Sequence, residues 1–63
     1  MTATFTAEQK MRAAVREVHQ RERVYPRLVA SGSMKQGEAD YQIAVMRSIA
    51  TDYERMAEKE RLL

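Results

Sequence analysis

The chain has no cysteine, no tryptophan, one histidine, one proline and two glycines in 63 residues. Without cysteine there can be neither a disulfide nor a thiolate metal site, a usage that fits a reducing cytoplasm. A lone histidine, His19, argues against a histidine-based metal centre within one copy, and no cofactor is expected. Long apolar runs are missing too. The longest is Ile43-Ala44-Val45-Met46, far below the roughly 20 residues of a membrane span. The opening "MTATFTAEQKMR" carries no apolar stretch of the secretory kind, so the expected setting is cytoplasmic, away from membranes. Catalytic patterns are equally scarce: there is no glycine-rich phosphate loop, no nucleophile elbow and no histidine–carboxylate pair at useful spacing. Asp40, Asp52 and Glu54 fall on a polar helix face. The expectation is a protein that is not an enzyme and has no catalytic residue.

What the chain does have is helix-forming chemistry: Ala, Glu, Arg, Met and Gln dominate. Thr6 followed by Gln9 is a capping-box pair, which starts a first helix near Ala7. Gly32 suits the left-handed residue beyond a helix end. One helical-hairpin domain over 1–63 follows, with helix one at about 7–31, a turn at 32–34 and helix two at about 35–61. Lys35 is a poor cap for the second helix, because it offers no side-chain acceptor.

Pro26 stands inside the first helix. Positions seven apart nearly coincide on a helix, and three columns keep phase across the proline: Met11, Val18 and Tyr25; Ala14, Arg21 and Leu28; Val15, Glu22 and Val29. A true break would reset that phase, so one kinked helix is expected. A separate short helix beginning at Pro26 is the second choice.

Helix two shows a stripe, Ala39, Ile43, Met46, Ala50, Tyr53 and Ala57, which Val45, Ile49 and Met56 widen to an apolar arc of about 160°. An all-α hairpin covers only part of such a face. A chain this short also buries only about 60% of its unfolded surface, and self-association is the staple still open to it. The expected assembly is a homodimer forming a four-helix bundle, or a higher homo-oligomer. Ile43, Met46, Ile49, Ala50, Tyr53 and Met56 are its candidate interface.

Charge is uneven along the chain. Net charge is +2, but residues 1–32 carry six basic and three acidic side chains, against five and six in the remainder. Arg12, Arg16, His19, Arg23 and Arg27 recur every three or four residues on one helical face, and only Glu8 is placed to pair with any of them. Arginine's fork of donors suits phosphate and carboxylate groups. The plainer reading, a solvated helix face, carries more weight, because surface charges are common and cheap. Arg21 and Glu22 form a polar notch within the apolar columns, edged by Tyr25. It serves either as a kinked, charged pocket that binds an anion or a partner or, more simply, as a register device or a rim position. Tyr53 lies on the packing stripe, and Tyr41 projects from the polar side.

The string "RVYPRLVASGSM", an alanine a few residues on, and then "IAVMRSIATDY" resembles short helical proteins encoded by bacteriophages and prophages of proteobacteria. Those proteins share a "VYP…G.M…A…IAVM..I..DY" pattern, and the resemblance covers about half the chain. It implies a phage accessory protein acting in a bacterial cytoplasm and assigns no role to any single residue. The expected function is a non-enzymatic binding module that occupies a host protein or an anionic, nucleotide-like ligand, with counter-defence as one setting. The alternative is a small DNA- or RNA-binding protein that uses the arginine stripe. A modest net charge and the lack of a recognition helix argue against that alternative. A virion assembly component is a third reading, resting only on the long amphipathic helix.

Overall fold

The computed structural model describes residues 4–62. Two helices account for its regular structure: α1, Ala7–Ala30, and α2, Gln36–Leu62. They pack against each other as a hairpin.

Local chemistry explains both ends of α1. The Thr6 hydroxyl accepts the Gln9 backbone N–H at 3.1 Å, and the Gln9 side-chain oxygen accepts the Thr6 N–H at 2.8 Å. This is the reciprocal capping box, which satisfies amides that a helix start leaves unpaired. At the other end Gly32 takes φ 82°. Its N–H donates to the Val29 carbonyl at 3.1 Å, and the Ser33 N–H donates to the Leu28 carbonyl at 2.9 Å. Those two bonds form a Schellman motif, which requires a residue that tolerates positive φ. Between its ends α1 runs through Pro26 without interruption. The separate helix starting at Pro26 does not form. The conserved phase of the three columns is the physical reason, since a continuous helix keeps all of them against α2.

Lys35 precedes α2 and gives it no side-chain cap, as its chemistry dictates. The α1 start receives an additional partner from the far end of α2: the Ala7 N–H donates to the Glu60 carboxylate at 3.4 Å. A carboxylate at a helix N-terminus also meets the positive end of the helix dipole.

The packing between the helices is made of small residues. Ala7, Ala14 and Val18 of α1 and Ala39, Ala50 and Ala57 of α2 are the buried set. Ala14, Val18 and Ala50 form its centre, with Val15 and Met46 packed against them. Alanine side chains let two helix backbones approach closely but bury little area each. The larger apolar residues of both columns, including Met11, Leu28, Ile43 and Tyr53, are only half-buried. The result is a single layer of helices, 47 × 27 × 14 Å. Its radius of gyration is 14.5 Å, whereas a compact 63-residue domain would have about 11 Å. Domains normally stack two layers around a core, and this chain supplies one.

Candidate functional site

The arginine stripe is an exposed strip along α1. Arg12, Arg16, His19, Arg23 and Arg27 all lie open to solvent on the side away from α2. Arg12 pairs with Glu8 at 3.3 Å, one turn earlier, and Arg23 donates to the Gln20 side-chain oxygen at 3.0 Å. Among the described residues no carboxylate pairs with Arg16, Arg23 or Arg27. The acidic residues of α2 therefore do not neutralise the strip.

Arg21 and Tyr25 stand elsewhere. The sevenfold column that holds Arg21 with Ala14 and Leu28 turns it toward α2, where its donors are engaged. Its Nε donates to Glu17 at 2.9 Å, and its Nη1 donates to the main-chain carbonyl of Gln42 at 2.8 Å. The guanidinium carbon also lies 5.9 Å from the centroid of the Tyr25 ring, within cation–π range. Glu22, the other notch residue, pairs with Arg47 of α2. So the notch joins the two helices, and the structure does not bring Arg21 and Tyr25 together with the strip.

The six residues expected at an oligomer interface divide in the same way. Ala50 is buried between the two helices, and Met46 packs on it. Ile43 and Tyr53 are half-buried at the edges of the hairpin. Ile49 and Met56 remain open, at 37% and 49% of full exposure. They line a shallow groove with Lys10, Asp52 and Tyr53. The Lys10 ammonium sits 5.6 Å from the centroid of the Tyr53 ring. A second groove, lined by Phe5, Gln9, Lys10 and Ala13, meets the first at Lys10.

Phe5, Lys10 and Ala13 were not legible as interface candidates from periodicity alone. The usable signal lay in the cap. A hydrophobic residue just before a capping box normally packs on the residue five positions later. Here that residue is Lys10, so the usual apolar partner at that position is missing, and Phe5 is 59% exposed.

Among the described residues no cluster of His, Cys, Asp or Glu is arranged to hold a metal. Among the described residues no helix is long and apolar enough to cross a membrane. No protein-family model, curated protein or solved structure matches the chain.

Proposed function

We propose that this chain is a non-enzymatic binding module of the phage accessory type. In this reading it acts as a homodimeric four-helix bundle, bent at Pro26, that presents the outer face of α1 to an acidic or phosphate-bearing group on a bacterial host component. Counter-defence is one setting for such a protein. The observation that carries the reading is the exposed strip Arg12, Arg16, His19, Arg23 and Arg27, which among the described residues has a single carboxylate partner, Glu8. Arg16, Arg23 and Arg27, which pair with no carboxylate among the described residues, keep forked donors available for bidentate contact with an oxyanion. The phage-like string supports the bacterial setting. The single-layer shape supports assembly of two copies, because a second layer is what the fold lacks.

The bend at Pro26 has a local cause. Proline removes the hydrogen bond to the Glu22 carbonyl and its ring presses on that carbonyl. Pro26 itself faces solvent, so the freed carbonyl can turn outward to water.

Charge reversal at two strip positions tests the function. The R16E/R23E variant should keep its helicity and assembly size and lose capture of its ligand from bacterial lysate. Undiminished capture by the folded double variant would remove the strip from the mechanism.

A further inference from the structure

The open face at the α1-start, α2-end half of the hairpin is the strongest feature that the arginine strip does not absorb. It combines Phe5, Ala13, Ile49, Tyr53 and Met56, and the two grooves share Lys10 as a common wall. The face also carries both charge signs, with Lys10 from α1 and Asp52 from α2 lining one groove.

We infer that this face takes a second copy of the chain in an isologous, two-fold arrangement that sets Lys10 of each copy opposite Asp52 of the other. The inference rests on the proposed self-association and adds the surface and the pairing.

Two arguments select a second copy as the occupant. The first is area. The chain exposes 5199 Å², whereas a folded monomer of its mass would expose about 4,200 Å². The excess, about 1,000 Å², compares with the roughly 800 Å² that each partner loses in a standard interface.

The second argument is charge complementarity within one patch. A two-fold contact places the same surface against itself. A patch of one charge sign would repel its copy, whereas a patch holding one cation and one anion on different helices can pair both across the axis. An axis lying in the interface parallel to the helices does this, because it sets α1 of one copy over α2 of the other. Every neighbouring pair of helices is then antiparallel, the usual bundle arrangement. The same placement brings Phe5 toward the Met56 end of the facing α2, giving its ring the apolar neighbour that Lys10 does not supply.

The test uses K10E, D52K, the K10E/D52K double variant and an equimolar mixture of the two single variants, by sedimentation equilibrium. The wild type should dimerise, and each single variant should dimerise at least about tenfold more weakly, since reversal puts like charges opposite each other twice per dimer. The double variant and the mixture should both recover. Recovery in the mixture is the distinguishing result, because an attraction confined to one chain cannot be restored by mixing. If the wild type is a dimer that none of these substitutions weakens, the face is wrong and the self-association reading survives. A wild type that is folded and solitary would overturn both. M56E, at a side chain already half open in the single copy, gives a charge-independent check: it should also weaken the dimer, and an undisturbed dimer would count against the face.

Discussion

The guanidinium of Arg21 on α1 donates to the main-chain carbonyl of Gln42 on α2 at 2.8 Å, and to Glu17 on its own helix at 2.9 Å. A helical carbonyl already accepts from its own chain, so Arg21 uses the second lone pair of Gln42. At the observed alignment of the two helices that bond has one partner, the carbonyl of Gln42. A slide of one turn would break this bond, leaving Arg21 with Glu17 on its own helix and its remaining donors partly withdrawn from water, which is costly. Arg21 and the Glu22–Arg47 pair therefore define the register of an interface whose alanines are too similar to define it themselves.

Removing that pin should cost stability without removing the helices. R21A is expected to lower unfolding free energy by about 1–2 kcal/mol, the range for a charge-assisted, partly buried hydrogen-bonded group. R21K should recover little of this, because an ammonium lacks the planar fork that reaches both acceptors. Urea denaturation followed by circular dichroism measures both.

The two glycines should respond in opposite directions. Gly32 sits at φ 82° with open space around the position of an added Cβ, so G32A is penalised by backbone strain alone, about 1 kcal/mol. Gly37 lies within α2 and also meets nothing. G37A should therefore stabilise, by roughly 0.5–1 kcal/mol. Equal effects of the two substitutions on the thermal midpoint would contradict this account of the turn.

Close approach of the helices depends on small side chains at buried positions. Ala50 and Ala57 are 8% and 2% exposed. A50L should destabilise by about 1–3 kcal/mol through overpacking, while A44L on the exposed face of α2 should be near neutral. Comparable losses from both would mean that α2 does not use this face against α1.

How much of this was legible beforehand follows from what each residue depends on. Thr6 and Gln9 form a cap with each other, and Gly32 ends a helix through its own backbone, so both could be read locally. The stripe Ala39, Ala50, Ala57 follows from helical period, and phase continuity across Pro26 foretold an unbroken α1. The contacts of Arg21 were harder. Its column with Ala14 and Leu28 placed it on the packing side, away from the strip, but the carbonyl it meets depends on the hairpin register and hence on turn length. The exposure of Phe5 depends on Lys10 occupying the position where an apolar residue would have covered it. Gly32, Met34 and Ala39 also acquire structural roles: Gly32 turns the chain, Ala39 is buried between the helices, and Met34 is half-buried at the hairpin base.

The arginine strip should not act as a general nucleic-acid surface. Net charge is only +2, and the strip lies along a single helix face. A shift assay with duplex and single-stranded DNA is expected to show no complex at about 50 mM salt, where phosphate contacts are strongest. A complex that weakens steeply on raising salt would favour nucleic acid as the strip's partner.

Sedimentation equilibrium on the unmodified chain across a wide concentration range tests the account most directly. A single layer of helices, with alanines and one valine as its buried residues, is predicted to sediment at twice the chain mass of 7.3 kDa and to lose helicity as dilution separates the copies. A fully helical protein that keeps the mass of one chain at every concentration would contradict it.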